Sequence, residues 1–346
     1  MGQLLEKAKV LEPRNPNRST KLFGGKSSGI LNWNNIAYPH FYRTYKELVG
    51  NYWQADEVNM TNDIKEFPNL TKEEQNAYLK IIGLLSTLDA PATKVALQMS
   101  LYSTDPSVQS IMAVIAQQEA VHNESYSYVL SSVVSLAEQN ESFETGRKDP
   151  VLLQRNERIM QVLNNFVDNP TLENILKTMT YVILLEGMFF YSGFAYFYNL
   201  ARHNKMVGTS TMVSYINRDE LVHSRFMTEL FRATLAENPE YNNEELINWV
   251  YDSFKHSVEQ ETNWSRYLLS DIKGIDLEEM ASYVKYRANK MLRMMGLSEI
   301  YEGYTENPMK WIRAYADNFD GTKTDFFEQT SRQYAKTSDA NGFDDL

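Results

Sequence analysis

The 346-residue chain has 45 acidic and 34 basic side chains, a formal net charge of -11 with histidine neutral, and no cysteine. Without cysteine it cannot hold a disulfide, a zinc–thiolate site or an iron–sulfur cluster, so any metal must be bound by carboxylate or imidazole groups. Because the charge is acidic and no basic patch of domain size is visible, we expect no nucleic acid partner. The N-terminus carries no apolar signal segment, so we expect a cytoplasmic protein.

Long stretches without proline dominate the chain, for example between Pro170 and Pro239. Such stretches, rich in Leu, Met, Ala, Glu and Lys, are typical of long helices, and we predict an all-α fold. We expect an irregular segment at residues 1–50, one helical domain at 51–320 and a flexible tail at 321–346. The predicted helices run from Thr71 to about Tyr102, Ser107 to about Gln139, Asn169 to about Arg202, Thr209 or Ser210 to about Ala236, 243 to 271 and 276 to 295, with the charged residues 140–150 as a surface loop.

One apolar stretch, Thr180–Leu200, is long enough to span a bilayer and carries a single charge, Glu186. Its four tyrosines and other polar groups lower its hydropathy, no polybasic flank orients it, and the chain has no second such segment. We therefore predict a central helix buried on all sides and no membrane partner. A buried Glu186 is expensive unless it is paired or bound to a metal.

Two of the five histidines lie in Glu-x-x-His pairs, and the chain also supplies further carboxylates in apolar surroundings. The i, i+3 spacing puts both side chains of a pair on one helix face. A four-helix bundle that binds two metals needs one carboxylate from each of two helices and a Glu-x-x-His pair from each of the other two. The alternative is that these acids are scattered salt-bridge partners and that the histidines are ordinary core residues. The order in which the candidates occur along the chain disfavours this alternative. The candidate ligands are Asp89, Glu119, His122, Glu186, Glu220 and His223.

Tyr126 lies four residues after His122 and seven after Glu119, hence on the same helix face and within two turns of the predicted metals. Its hydroxyl can face the site, where an activated dinuclear centre could take one electron and one proton from it. Aromatic neighbours would keep water and reductants away. The spacing alone does not distinguish this role of Tyr126 from that of an ordinary buried tyrosine. The aromatic residues in question are Phe189, Phe190 and Phe194.

The strings EAVHNESYSY, LLEGMFFYSGF and NRDELVH resemble the metal-binding helices of the small, radical-generating subunit of class I ribonucleotide reductase, which has a ferritin-like fold. The resemblance runs from about Trp53 to Leu346. It implies that the six candidates are the metal ligands and that Tyr126 holds the tyrosyl radical. The Asp at the first ligand position is usual for that family.

The same resemblance suggests roles outside the metal site. Trp53, in NYWQADEVNM, and Asp219 would form a radical-transfer route from the metal-bound His122. The end of the tail, Phe343–Leu346, would dock onto the large subunit, with Tyr334 as the relay between the subunits. The alternatives are a core or surface aromatic for Trp53, a helix-surface charge for Asp219 and a solvating acidic tail.

We therefore predict the radical-generating subunit of a ribonucleoside-diphosphate reductase. By the resemblance, it would bind two metal ions, iron by default or manganese, and form a homodimer, with an activating flavoprotein if the metal is manganese. Ribonucleotide reduction in this family needs cysteines, so that chemistry would lie on the large subunit. The main alternative is a dinuclear oxidase or oxygenase on the same scaffold that oxidises its own small-molecule substrate. Ferritin-like metal storage ranks lower, because it suggests a shorter chain.

Overall fold

Within residues 3–316, the part that the computed structural model describes, the chain folds into twelve α-helices. These residues contain no strand beyond two isolated bridges, so the all-α prediction is confirmed for them. The helices are α1 (His40–Gly50), α2 (Thr61–Glu66), α3 (Lys72–Tyr102), α4 (Pro106–Val133), α5 (Leu136–Lys148), α6 (Pro150–Asp168), α7 (Leu172–Leu184), α8 (Phe190–Arg202), α9 (Val207–Glu237), α10 (Glu244–Leu269), α11 (Leu277–Met294) and α12 (Arg313–Ala316).

Side-chain caps begin the helices that carry the candidate site. Thr71 accepts from the backbone N–H of Glu74, whose carboxylate accepts from the N–H of Thr71 in return, so α3 begins where the capping box predicts. Asp105 caps α4 through the N–H groups of Ser107 and Val108 at 2.9 and 3.2 Å. Each cap satisfies N–H groups that the helix itself leaves unpaired.

The prediction was wrong between Val133 and Asp168. Helix α4 ends at Val133, and Ser135 forms a second capping box with Glu138 that opens α5. The charged residues 140–150 therefore form most of a helix, because the Ser-x-x-Glu signal outweighs their polarity. Asp149 then caps α6, with Pro150 at the first helical position.

The N-terminal segment is irregular up to residue 39 except for a single 3-10 turn at Trp33–Asn35, but residues 40–50, which we expected to be irregular, form α1. The reason is an amphipathic spacing: Phe41, Thr44 and Leu48 are buried on one face of that helix. The preceding residues lie against α9, where Glu237 accepts from the N–H of Leu22 at 2.7 Å.

Helices α3, α6, α9, α10 and α11 pack around a central helix that runs from α7 through a π-helical turn, Leu185–Phe189, into α8. All twenty residues from 181 to 200 are buried, as predicted for a helix enclosed on all sides. Within the described residues, no helix is long and apolar enough to cross a membrane.

Two glycines allow α5 to lie close against α3. A Cβ added at Gly83 would lie 2.1 Å from the carbonyl oxygen of Ser142, and one added at Gly146 would lie 2.1 Å from Oγ1 of Thr87. Any larger side chain at these positions would separate the helices. Helix α5 thus supports the middle of α3, which carries Asp89.

Candidate metal centre

Six side chains from four helices converge in the core. Helix α3 supplies one carboxylate, the π-turn another, and α4 and α9 each supply a Glu-x-x-His pair. Five of the side chains are fully buried, and the sixth, Glu186, is 2 % exposed. They form two groups whose ligand atoms all lie within 4.8 Å of one another: Asp89, Glu119, His122 and Glu220 in one, and Glu119, Glu186, Glu220 and His223 in the other.

The two histidines pair across the bundle. Nδ1 of His122 lies 3.2 Å from Oε1 of Glu220, and Nδ1 of His223 lies 3.1 Å from Oε1 of Glu119. Glu119 and Glu220 belong to both groups, so either carboxylate could bridge two cations. Each histidine directs Nδ1 into the cluster and Nε2 away from it.

Nine nitrogen and oxygen atoms of these side chains have no hydrogen-bond partner among the described residues. Buried polar atoms without partners are costly, so a cluster of them needs another stabilising group. In the deprotonated forms that bind metal, the four carboxylates carry four negative charges, which two divalent cations would balance. Carboxylate and imidazole donors suit iron, manganese and zinc. The residues therefore fit a dinuclear metal centre. The atoms are both carboxylate oxygens of Asp89, Glu119 and Glu220, Oε2 of Glu186, and Nδ1 of His122 and His223.

Asp219 connects His122 to Trp53. The indole N–H of Trp53 donates to Oδ2 of Asp219 at 2.7 Å, and the same oxygen lies 3.3 Å from Nε2 of His122. Trp53 and Asp219 are 1 % and 0 % exposed, so neither is a surface residue. A carboxylate behind a metal-binding histidine fixes its orientation and tautomer. The structure thus brings the three residues together in the predicted order.

Gln118, which the sequence analysis missed, occupies the equivalent place behind His223. Its Oε1 lies 2.8 Å from Nε2 of His223, while its amide N–H donates to the carbonyl of Leu48 at 3.1 Å. The bond to Leu48 fixes which end of the amide faces the histidine, so Nε2 of His223 is the donor. A sequence feature does indicate Gln118, because it directly precedes the ligand Glu119 just as Asp219 directly precedes the ligand Glu220. In the structure, Gln118 and Asp219 each contact the histidine of the opposite helix.

Glu186 lies in the π-turn, which the sequence analysis also missed. Single π-turns inside α-helices are frequent at functional sites, because the wider turn changes where a side chain points. A π-turn depends on packing around the whole helix, so no local pattern of residues predicts it.

Tyr126 is 1 % exposed, and its hydroxyl has no hydrogen bond within ordinary limits among the described residues. Burial and the nearby carboxylates of Asp89 and Glu220 raise the pKa of the phenol well above its usual value. Tyr126 is therefore a neutral phenol beside the cluster. Phe189, Phe190 and Phe194 are all buried in the same core. The remaining predicted residues, Tyr334 and Phe343–Leu346, lie outside the described residues.

Electrostatics shift the pKa values of Asp89, Glu119 and Glu186 in different directions in the metal-free protein. Burial and the other carboxylates raise the pKa of Asp89 and of Glu186, although His223 opposes the rise at Glu186. Burial also acts to raise the pKa of Glu119, but the close contacts of its carboxylate with the imidazoles of His122 and His223 outweigh burial and lower that pKa to about 2. Burial opposes the charge on both imidazoles, yet the carboxylates around them raise the pKa of His122 and His223 well above normal.

A helical bundle whose core joins two Glu-x-x-His pairs with two further carboxylates defines the class of ferritin-like dinuclear-metal proteins. Within that class, the chain belongs to the family described as ribonucleotide reductase, small chain, whose sequence model matches residues 30–308. It is 48% identical over 343 residues to the ribonucleoside-diphosphate reductase subunit beta of Halalkalibacterium halodurans, with 99% of each chain covered. The corresponding subunit of Treponema pallidum is 34% identical, with 92% of this chain and 91% of the relative covered.

Solved structures agree with this assignment. A structure from Bacillus halodurans, assigned as a class I ribonucleotide reductase, superposes with a TM-score of 0.86 at 45% identity, covering 90% of this chain and 100% of that one. The ribonucleotide reductase R2 subunit of Clostridium botulinum gives 0.88 at 32% identity, covering 91% and 99%. The dimanganese(II)-NrdF of Streptococcus sanguinis gives 0.71 at 25% identity, covering 79% and 94%.

Membership of this family makes the chain the radical-generating beta subunit of a ribonucleoside-diphosphate reductase, an oxidoreductase. It implies a large-subunit partner, a dimer and a dinuclear metal site. An oxygenase that acts on its own substrate is not favoured.

The raised pKa values predict that loading of metal releases protons. The raised pKa values of Asp89, Glu186, His122 and His223 favour their protonated forms in the metal-free protein, whereas cations bind the forms without those protons. Mn(II) affinity should therefore rise as the pH rises. Calorimetric titration in buffers of different ionisation enthalpy measures the number of protons released, and Asp89→Asn should lower that number. A pH-independent affinity with no release would contradict this account.

Proposed function

We propose that the six clustered side chains bind two metal ions, that Tyr126 carries the stored oxidising equivalent, and that Asp219 and Trp53 begin its route to the large subunit. One observation carries the proposal: nine buried donor atoms without hydrogen-bond partners lie beside a buried tyrosine. Bound cations would stabilise such a cluster by supplying the missing counter-charges.

Two iron ions are our first assignment, and two manganese ions are the competing one. Carboxylate and imidazole donors accept both metals, so the donor set does not separate them. The dimanganese form named for the Streptococcus sanguinis relative keeps manganese in consideration. If manganese is the metal, we expect a flavoprotein to deliver the activating oxidant.

When bound and activated by an oxygen species, the dinuclear centre supplies a one-electron oxidant. Tyr126 then gives up one electron and its phenolic proton. Asp89 is the carboxylate that acts most strongly on the phenol, so we propose that the proton leaves toward it. Burial of Tyr126 to 1 % exposure excludes water and reductants, which protects the oxidised residue.

The oxidising equivalent must leave this buried position to reach the large subunit. Trp53, Asp219 and His122 form a hydrogen-bonded line out of the cluster, with the indole and imidazole rings stacked at 6.1 Å between centroids. In this route Trp53 would lose an electron while its N–H proton moves along the bond to Asp219. The bond at 2.7 Å favours that coupling.

We propose that the C-terminal residues Phe343–Leu346 dock onto the large subunit and that Tyr334 relays the equivalent between the subunits. This part of the proposal depends on the sequence, which ends in an acidic and aromatic peptide after a polar, small-residue stretch. A peptide that becomes ordered on binding suits a partner that associates and dissociates.

The radical assignment is tested by Tyr126→Phe. We expect electron paramagnetic resonance of the loaded protein to lose a sharp tyrosyl signal, while metal analysis still finds two ions per chain. Tyr128→Phe is the matched control, because Tyr128 lies on the same helix but its hydroxyl donates to the carbonyl of Val58. A mixed-valent dimanganese signal that survives Tyr126→Phe would place the equivalent on the metals instead.

The route is tested by Trp53→Phe, which removes the N–H that Asp219 accepts. We expect the variant to keep its metals and its tyrosyl signal but to lose ribonucleotide reduction with the large subunit. Trp249→Phe, far from the cluster in sequence and half-buried, should retain activity. Full activity in Trp53→Phe would exclude the route.

The docking role is tested by deleting residues 335–346. Reductase activity of the mixed subunits should be lost, while metal content and the radical signal stay unchanged, because the deletion spares the helical domain. A free peptide of the same residues should inhibit the intact mixture by competing for the large subunit. Loss of the metal centre on deletion would contradict a docking role.

A further inference from the structure

The π-turn at Leu185–Phe189 interrupts a helix whose two flanks are both buried. A π-turn accommodates one more residue than an α-turn, and successive residues on a helix differ in direction by about 100°. Removing the additional residue from the turn would rotate one flank relative to the other by about 100°. Both flanks are buried and would lose their packing, so the helix has to accommodate this residue. The flanks alone do not determine where along the helix it is accommodated.

Arg155, on α6, donates to the π-turn from one side. This residue is 2 % exposed, and its Nη2 donates to the carbonyl of Phe189 at 2.9 Å. Its Nε donates to Oε2 of Glu261 at 2.7 Å, which balances the buried charge. The guanidinium also lies 4.5 Å from the ring centroid of Phe189.

Arg287, on α11, donates from another side. It is 0 % exposed, and its Nε donates to the carbonyl of Gly187 at 2.8 Å. Its guanidinium carbon lies 3.4 Å from the centroid of the Tyr191 ring, just beyond the turn. Two buried cations from different helices therefore contact backbone carbonyls of the same five-residue turn.

Carbonyls inside a regular α-helix bond to N–H groups of their own helix and need no outside donor. Burying arginine is expensive, so two arginines at one turn call for a reason beyond packing. An irregular turn supplies that reason, because a π-turn interrupts the regular pattern of hydrogen bonds between backbone N–H and carbonyl groups. Donors aimed at Gly187 and Phe189 stabilise the irregularity at this position and at no other.

We propose that Arg155 and Arg287 are positioning residues that hold the π-turn around Glu186, so that its carboxylate stays directed at the metal centre. If the turn moved along the helix, Glu186 would point away from the cluster. The inference rests on the proposed metal-binding function.

The two halves of the centre should respond differently. Glu186 belongs only to the group that contains His223, whereas the group of Asp89 and His122 is complete without it. Loss of the arginine contacts should therefore weaken one metal site and spare the other. A general loss of stability would weaken both sites together.

The experiment titrates Mn(II) into the full chain and follows bound metal by electron paramagnetic resonance. Arg287→Met keeps the apolar stem but removes the donor. Arg155→Met combined with Glu261→Gln removes the other donor without leaving a buried carboxylate unpaired. Glu186→Gln serves as the reference for loss of the ligand itself.

We expect the parent protein to bind two Mn(II) ions with a coupled signal. Both arginine variants should keep one tight ion and bind the second at least about tenfold more weakly, with an uncoupled signal resembling that of Glu186→Gln. Arg287→Lys, which keeps a donor, should restore most of the second-site affinity. Arg158→Met is the matched control on α6, since Arg158 contacts Ser253 and the Trp249 ring, and should behave like the parent.

Circular dichroism and thermal melting identify any variant that fails to fold. If one does, the second-site affinities of Arg287→Lys and Arg287→Met are compared, because these two variants differ in whether a donor to Gly187 remains. Two tight ions in both arginine variants would overturn the inference, as would equal weakening of both sites in folded protein. A parent protein that binds no pair of ions would instead refute the proposed metal centre.

Discussion

The structure depends above all on the burial of four carboxylates in an apolar core. Asp89, Glu119, Glu186 and Glu220 are at most 2 % exposed, and in that environment their mutual repulsion would protonate them or open the bundle. Compensation comes from imidazoles of opposite helices and from cations that the donor atoms fit. Because each helix contributes only part of the set, the centre ties four helices together.

The same constraint shapes the surroundings of the centre. One histidine is backed by the carboxylate of Asp219 and the other by the neutral amide of Gln118, so the two halves differ in charge although their ligands are nearly symmetric. A carboxylate raises the basicity of a bound histidine more than an amide does. This difference gives the half with His122, which adjoins Asp89 and the proposed route through Trp53, a more electron-rich environment. The dry core that makes carboxylates costly also shields Tyr126.

Part of the fold follows from local pattern, and part does not. The start of α3 follows from the Thr71–Glu74 capping box, and the buried central helix follows from its apolar composition. The sequence predicts a loop where α5 lies, because the stretch 140–150 is rich in charged and polar residues, whereas the Ser135–Glu138 box and the burial of Ser142 and Gly146 against α3 favour a helix. Local polarity predicts secondary structure poorly for a helix such as α5, which packs through one narrow face and leaves the rest of its residues at least partly exposed.

The sequence by itself determined the set of metal-site candidates and their order on four helices, because i, i+3 spacing and isolated acids in apolar stretches are local features. Only the tertiary structure decided that these groups meet within 4.8 Å, that Gln118 holds His223, and that Glu186 lies in a π-turn contacted by Arg155 and Arg287. The physical reason is separation along the chain: these contacts join residues on different helices, and nothing in their local sequence records the partner.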